Sequence, residues 1–460
     1  MVVLGAGGDL AARLLLPGLA GLLSLGRLPA GFRLIGVDRA EWDDAIFREH
    51  VRAAIAEHGG EAAVAAASTL AEACSYLHGD AGDPAAVAAA LAMAEGPAVV
   101  YLALPPQVFA AAIGALGEAG LPEGSAIVIE KPFGHDVASA EALNAQLATV
   151  AAERAIHRVD HFLEKQTVQN VLGLRFANRI FEPIWNREHI ERVEIVWDES
   201  IALEGRAGYY DRAGALRDMI QNHLLQVMAL VAMEPPPTLH ERDLRDRKVD
   251  VLRAVRTPTA SEIAEGTIRA RYTAGTAKGG PVPDYTAEEG VDGARQAETF
   301  AEVTLRVDNW RWADVPFVLR SGKALGDNRQ HVAIHFRPVP HLTFGQQTHA
   351  TPNLLTLGLA PDRLELSVNI NGAGDVFDLE QATLAAALAP QEISAYGRVI
   401  LDVLQGDPTL SIRGDEAEEC WRIVAPILAA WAAGTPAMEE YPAGSSGPES
   451  SAVSVTSMNS

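Results

Sequence analysis

The sequence predicts two domains: an α/β N-terminal domain on a parallel sheet over residues 1–155, then an α+β C-terminal domain with a large, mostly antiparallel sheet over 156–442, with 443–460 as a disordered tail. Three observations predict this. A length of 460 residues exceeds what one hydrophobic core usually serves. Up to about residue 150, short β-branched runs alternate with Ala-rich amphipathic segments, the pattern of a parallel sheet with crossover helices. Beyond about residue 180, longer segments alternate apolar and polar residues with no helices between them, as antiparallel strands with one covered face do.

Each element follows from its own stretch of chain. Strands are expected at Val2–Leu4, Leu34–Val37, Val99–Leu104 and Ala126–Ile129, where aliphatic residues run together between turn residues. Helices are expected over 11–25, 42–57, 84–95, 107–119 and 137–154. In the second domain Arg192–Trp197, Thr267–Tyr272, Glu298–Val307, Pro316–Arg320 and Val332–Phe336 alternate as sheet strands. A helix holding 216–231 carries an apolar stripe of Leu216, Ile220, Leu224, Val227 and Val231. A helical block over 380–404 and a last helix over 415–433 follow, and the tail from Ala443, rich in Ser and Gly, is expected to be disordered.

Hydrophobic residues make up 48% and charged residues 21%, an ordinary globular balance. The formal net charge of −23 argues against nucleic acid or an anionic membrane as a partner, because phosphate backbones demand clustered Lys and Arg. A small anion can still bind wherever a few cations gather. Cys74 and Cys420 stand far apart without metal-ligand spacing, so neither a disulfide framework nor a metal site is expected, and a reducing, cytoplasmic setting fits. The longest uncharged run, 96–117, is broken by Pro105-Pro106 and glycines and reads as a buried strand and turn rather than a membrane span. Met1 runs straight into Val2-Val-Leu4 without a signal-peptide pattern, so a soluble protein is expected.

Val2-Val-Leu-Gly5-Ala-Gly-Gly8-Asp-Leu-Ala11 passes from strand to helix through a glycine cluster. Glycine permits the tight turn and lets a pyrophosphate approach the amides at the positive helix N-terminus. A bare strand–helix connection is the other reading; its place at the first strand of an α/β domain favours dinucleotide binding, with Gly5, Gly8, Asp9 and Leu10 at the phosphates. The second strand ends in Asp38-Arg39. An acid there favours the 2′-hydroxyl of NAD and an arginine the 2′-phosphate of NADP, so the pair leaves the choice open.

Four further segments carry chemistry. Glu130-Lys131-Pro132 follows a first-domain strand, where a lysine at the carboxyl end points into the ligand crevice. Arg158-Val-Asp160-His161-Phe-Leu-Glu-Lys165 gathers an acid, an imidazole and an ammonium, although Asp160 and His161 also suit capping a helix that starts near Leu163. Leu216-Arg-Asp218-Met-Ile-Gln-Asn-His223 puts a histidine on or beside an apolar stripe, where core residues are commoner than catalysts, yet surrounds it with Asp218, Gln221 and Asn222. Arg320-Ser-Gly-Lys323 supplies more cations. Together they suit a dehydrogenase of a phosphorylated hydroxy compound.

These residues resemble the glucose-6-phosphate dehydrogenase family along nearly the whole chain. The resemblance runs through Gly5-Ala-Gly-Gly-Asp-Leu10, Glu130-Lys-Pro-Phe-Gly134, Val159-Asp-His-Phe-Leu163, Arg175-Phe-Ala-Asn178, Phe181-Glu-Pro183 and Trp185-Asn186. It continues through Glu204-Gly-Arg206, Gly208-Tyr-Tyr-Asp211, Arg217-Asp-Met219, Gln221-Asn-His223, Asp308-Asn-Trp-Arg-Trp312 and Arg320-Ser-Gly-Lys323. It implies a Rossmann-like first domain and oxidation of glucose 6-phosphate to a lactone, the first step of the pentose phosphate pathway, with hydride passing to NADP. It implies His223 as general base with Asp160 orienting it. His161 and Lys165 are implied on the 6-phosphate, Glu199, Asp218 and Lys323 on sugar hydroxyls, Lys131 between sugar and cofactor, and Arg39 on the cofactor. A homodimer or homotetramer is implied as well.

The sequence also departs from the family. Leu14 stands where lysine is usual, Phe162 where tyrosine is common, and Leu163-Glu-Lys-Gln166 replaces the usual Leu-Gly-Lys-Glu. Asp38 occupies a position usually small, which leaves NAD use open, and Gly444-Ser-Ser-Gly-Pro448 lacks the family's tryptophan. Two other readings compete: a two-domain oxidoreductase of unphosphorylated sugars, and a catalytically silent dinucleotide-binding regulator suggested by Leu14.

Overall fold

Strands β1 (Val2–Leu4), β2 (Leu34–Asp38), β3 (Cys74–His78), β4 (Val99–Leu102), β5 (Ala126–Glu130) and β6 (Ile156–Val159) pair in parallel throughout, in the order β3-β2-β1-β4-β5-β6. The order reverses between β1 and β4, the switch point outside which doubly wound sheets bind ligands. The computed structural model describes residues 1–203, 207–344, 349–375, 378–389 and 391–451 and divides into two units. The first comprises Met1–Lys165, Pro236–Asp246 and Gln391–Glu418; the second comprises Gln166–Pro235, Arg247–Pro390 and Glu419–Ser460.

In the first unit, the expected strands and helices form close to their expected places. Helix Asp44–His58 starts where the Asp43 carboxylate accepts the Ile46 N–H, and Val137–Val150 starts with a reciprocal Asp136/Ser139 cap. The core joins Val3, Leu16, Leu19, Phe47, Ile55, Tyr101 and Val128 to Val399 and Ile400 from near the other end of the chain. Helix Glu61–Glu72 and strands β3 and β6 are additions to the sequence reading. Strand β6 pairs with β5, so the first unit continues past residue 155 to Lys165.

The second unit holds strands β7 (Ile190–Asp198), β8 (Thr267–Thr273), β9 (Gly275–Ala277), β10 (Gly280–Val282), β11 (Phe300–Arg306), β12 (Pro316–Gly322), β13 (Gln330–Phe336), β14 (Leu354–Leu359), β15 (Asp362–Asn371), β16 (Leu379–Ala387) and β17 (Glu439–Pro442). Nine of them form one sheet, β16-β15-β14-β13-β7-β12-β11-β8-β17, while β9 and β10 make a separate hairpin. The sheet is antiparallel except where β12 meets β7 and β17 meets β8.

The helical block expected over 380–404 is corrected. Its first part is β16, paired antiparallel with β15 from Asn371↔Leu379 to Arg363↔Ala387, and among the described residues of the block the helix is Ala395–Gln405. Alanine prefers a helix by well under 1 kcal/mol per residue over most others, and a complete ladder to a neighbouring strand overrides that. Of the tail, residues 443–451 are bonded into the second unit: Ala443 N–H donates to Thr273 O and Gly444 N–H to Ala324 O, while Ser446 O accepts from Arg320. Glu204-Gly-Arg206 and residues 452–460 lie outside the described residues. No helix among the described residues is long and apolar enough to cross a membrane.

Candidate active site

The glycine turn after β1 leaves backbone partly exposed where the first helix begins. Gly5 takes φ 87°, and a Cβ there would meet the Ala103 carbonyl oxygen at 2.3 Å, so only glycine fits. Gly7 and Gly8 are half-buried and lead into a wide π-helical turn, Ala11–Leu15, followed by helix Leu16–Ser24. Bare backbone at a helix start matches the pyrophosphate of a dinucleotide. Asp38 braces the turn: one carboxylate oxygen accepts the Gly7 N–H at 3.0 Å and the other accepts the Arg39 N–H at 2.7 Å. The Arg39 side chain lies exposed beside it. Asp9 is exposed 3.8 Å from Arg13, Leu10 is half-buried and Leu14 faces solvent.

At the carboxyl end of β5, Glu130 is buried and accepts hydrogen bonds from the hydroxyls of Tyr101 and Tyr396. Burial pushes its carboxyl up to about 7, against the two hydroxyls and the neighbouring Lys131 charge. Lys131 follows, half-buried, before a cis Lys131–Pro132 bond.

Beyond β6, Asp160–Lys165 is a tight turn rather than a helix start. The Asp160 carboxylate accepts the Phe162 N–H at 2.9 Å, its carbonyl accepts the Leu163 N–H, and the helix begins only at Gln166. The turn places Asp160, His161 and Lys165 within one unit. The His161 ring stacks on Tyr396, with centroids 5.6 Å apart, and Lys165 Nζ lies 5.0 Å over the Phe162 ring. Glu164 turns inward and is 4% exposed; burial, then Asp402, raises its carboxyl far above the carboxylate range.

The second unit gathers a different set. Strands β7 and β12 run parallel with Asp198 opposite Gly322, so Glu199 and Lys323 leave the sheet side by side. Their side chains pair at 2.5 Å, and the Glu199 N–H donates to Gly322 O. Buried Asp198 anchors this edge through Arg320 and Arg329. Lys323 Nζ sits 5.1 Å over the Tyr210 ring, whose hydroxyl is raised by burial and then by the Asp218 charge, with Glu298 and Glu199 adding to it. Leu216–Leu224 is a π-helical turn running into helix Leu225–Ala232; it carries half-buried Asp218 and buried His223. Such wide turns recur at functional sites. Asn222 braces it, donating from its side chain to Arg217 O at 3.0 Å and accepting the His223 N–H at 2.6 Å.

The predicted residues therefore fall into two groups. Gly5, Gly8, Asp9, Leu10, Arg39, Lys131, Asp160, His161 and Lys165 belong to the first unit, and Glu199, Asp218, His223 and Lys323 to the second. Tyr101, Tyr396, Tyr210 and Glu298 went without a role in the sequence reading. Tyr396 and Glu298 are far in sequence from the motifs they touch, and no local pattern marks them.

A doubly wound sheet with a glycine turn after its first strand, joined to a unit presenting a buried histidine, an acid and a lysine, defines a nicotinamide-dependent dehydrogenase of two-domain build. Residues 2–170 match the model of the glucose-6-phosphate dehydrogenase NAD binding domain, and residues 172–459 match that of the C-terminal domain. The chain belongs to the glucose-6-phosphate dehydrogenase family. It is 41% identical to glucose-6-phosphate 1-dehydrogenase 2 of Mycobacterium bovis, over 98% of this chain and 91% of that protein. The crystal structure of glucose-6-phosphate 1-dehydrogenase from Mycobacterium avium aligns with TM-score 0.86 at 34% identity, covering 97% of this chain and 94% of the other. A glucose-6-phosphate dehydrogenase in complex with its substrate glucose-6-phosphate aligns with TM-score 0.88 at 31% identity, covering 97% and 95%.

Proposed function

We propose that this chain oxidises glucose 6-phosphate to 6-phosphoglucono-1,5-lactone, with NADP as the preferred acceptor. One observation carries the reading: in a member of this family, the acid, histidine and lysine of the Asp160–Lys165 turn coexist with the Glu199–Lys323 pair and the Asp218–His223 helix. His223 takes the proton of the anomeric hydroxyl as hydride leaves the same carbon, so the C–O bond becomes the lactone carbonyl. Asp160 orients His223 and stabilises the imidazolium. His161 and Lys165 hold the 6-phosphate by charge-assisted hydrogen bonds. Glu199, Asp218 and Lys323 orient the sugar hydroxyls, and Lys131 serves sugar and cofactor together.

The nicotinamide dinucleotide, when bound, supplies the hydride acceptor. Gly5, Gly8, Asp9 and Leu10 receive its phosphates. The preference for NADP rests on Arg39, exposed at the end of β2, while Asp38 is already committed to the Gly7 amide. Cytoplasmic residence and a homodimer or homotetramer complete the reading. Initial rates with glucose 6-phosphate, NADP and NAD side by side test it. The NADP rate should be the higher, and His223→Asn should lower kcat by roughly 100- to 10,000-fold. No sugar-phosphate-dependent nicotinamide reduction by the native protein would sink it.

A further inference from the structure

One residue from elsewhere in the second unit holds the start of the helix that carries Asp218 and His223. Helix starts leave N–H groups without partners inside the helix. Here the Ala215 N–H donates to the Glu298 carbonyl at 3.1 Å, and the Leu216 N–H donates to Glu298 Oε1 at 2.9 Å. The chain approaches this closely because Gly214 takes φ 69°; a Cβ there would lie 2.4 Å from Glu298 Oε1. Burial raises the Glu298 carboxyl, opposed by the Leu216 N–H and by Arg217 and Arg269. The next residue, Thr299, accepts the Lys323 N–H on its carbonyl at 3.0 Å. The Tyr441 hydroxyl bonds the Thr299 hydroxyl at 2.9 Å and donates to Lys323 O at 2.7 Å.

We propose that Glu298 is a positioning residue for the oxidation: it sets the height and rotation of the His223 helix, while Thr299 keeps Lys323 in step with it. This rests on the reading of His223 as the base. A carboxylate at a helix start is favoured by the dipole, and two N–H groups held by one residue fix the axis more firmly than a flexible cap. The geometry matters because a base misplaced by about 1 Å can lose on the order of a hundredfold in rate.

Glu298→Asp withdraws the accepting oxygen by one methylene, whereas Glu298→Gln keeps an oxygen at the same reach. The Asp variant should lose roughly ten- to a hundredfold in kcat and shift the acid limb of its kcat–pH profile, with KM for the dinucleotide unchanged. The Gln variant should stay within about threefold of the native rate. Native kcat and pH profile in the Asp variant, or equal impairment of both variants, would overturn the proposal. Should the Asp variant fail to fold, a folded Gln variant slowed about tenfold or more overturns it as well. His223→Asn, measured in parallel, separates the failures. An inactive native protein sinks the dehydrogenase reading, whereas an active native protein, a dead Asn variant and an unimpaired Asp variant sink only the positioning role.

Discussion

Lys165 is the cation on which the sugar-phosphate reading leans hardest, because an unphosphorylated sugar has no use for it beside His161. It lies over Phe162, so the aromatic face survives where the family's tyrosine hydroxyl does not. Its neighbour Glu164 was visible in the sequence as a departure; its burial was not. Burial, and then the Asp402 charge, push that 4% exposed carboxyl toward its protonated form. Lys165→Ala should raise KM for glucose 6-phosphate by roughly ten- to a hundredfold, the worth of a charge-assisted hydrogen bond, with a smaller change in kcat. An unchanged KM in steady-state rates would remove the phosphate role. Glu130 makes a second prediction, in pH. Its folded value of about 7 stands above the ordinary 4.5, so the native state holds a proton that the unfolded chain has released. Stability is then fully present below the unfolded value and falls as pH rises through the folded one, by on the order of 3 kcal/mol in total. Glu130→Gln lacks that loss. Denaturant midpoints at about pH 5 and about pH 8 should show the native protein falling relative to the variant, and a constant gap would refute the assignment.

Helix Ala395–Gln405 shows how an element acquires a role that its own sequence does not announce. The sequence reading placed helix here but ran it back to residue 380, into what is strand Leu379–Ala387, because alanine content says nothing about which neighbour a segment will find. The π-helical turns at 11–15 and 216–224 escaped for a related reason: an apolar stripe fixes the buried face, and Leu216, Ile220, Leu224, Val227 and Val231 are all buried, but it does not fix how widely the backbone winds. The helix at 395–405 packs on Leu16–Ser24 through glycine, since a Cβ on Gly18 would stand 3.2 Å from the Gly397 backbone nitrogen. Gly21, in the same helix, would meet nothing within 4 Å. Alanine gains about 0.5–1 kcal/mol over glycine at either helical position, so Gly21→Ala should raise the thermal midpoint. Gly18→Ala should lower it, because backbone atoms on the facing helix have little room to give. Tyr396 rides on that facing helix against His161, so Gly18→Ala should also raise KM for glucose 6-phosphate several-fold while Gly21→Ala leaves it unchanged. Both variants shifting the midpoint in the same direction would refute the close-contact account.

The molecule's division into two units was readable from texture, since crossover helices with short apolar strands and long alternating strands need different cores. The interleaving was not: residues 236–246 and 391–418 return to the first unit, and only packing partners reveal that. The proposed assembly beyond one chain points to a particular surface. Strand β15 pairs with β16 so that Leu366 faces Leu384, Val368 faces Ala382 and Leu364 faces Ala386. Opposed residues share a sheet face, so these six form one apolar surface that Ile370 extends until it meets Glu380 opposite. Leu384 is 61% exposed and Ile370 48% exposed in the single chain. A contiguous apolar face on the outermost strands of a nine-stranded sheet is what a second copy of the chain would cover. Sedimentation equilibrium at micromolar concentration should therefore give a mass two or four times the 48.9 kDa of one chain. Leu384→Arg puts a charge at the centre of that face, where desolvating it without a partner costs several kcal/mol per copy. The variant should shift to the single-chain mass while its thermal unfolding remains cooperative. A native protein that sediments as one chain, or an arginine variant that assembles as tightly as the native one, would show that this face is left to solvent.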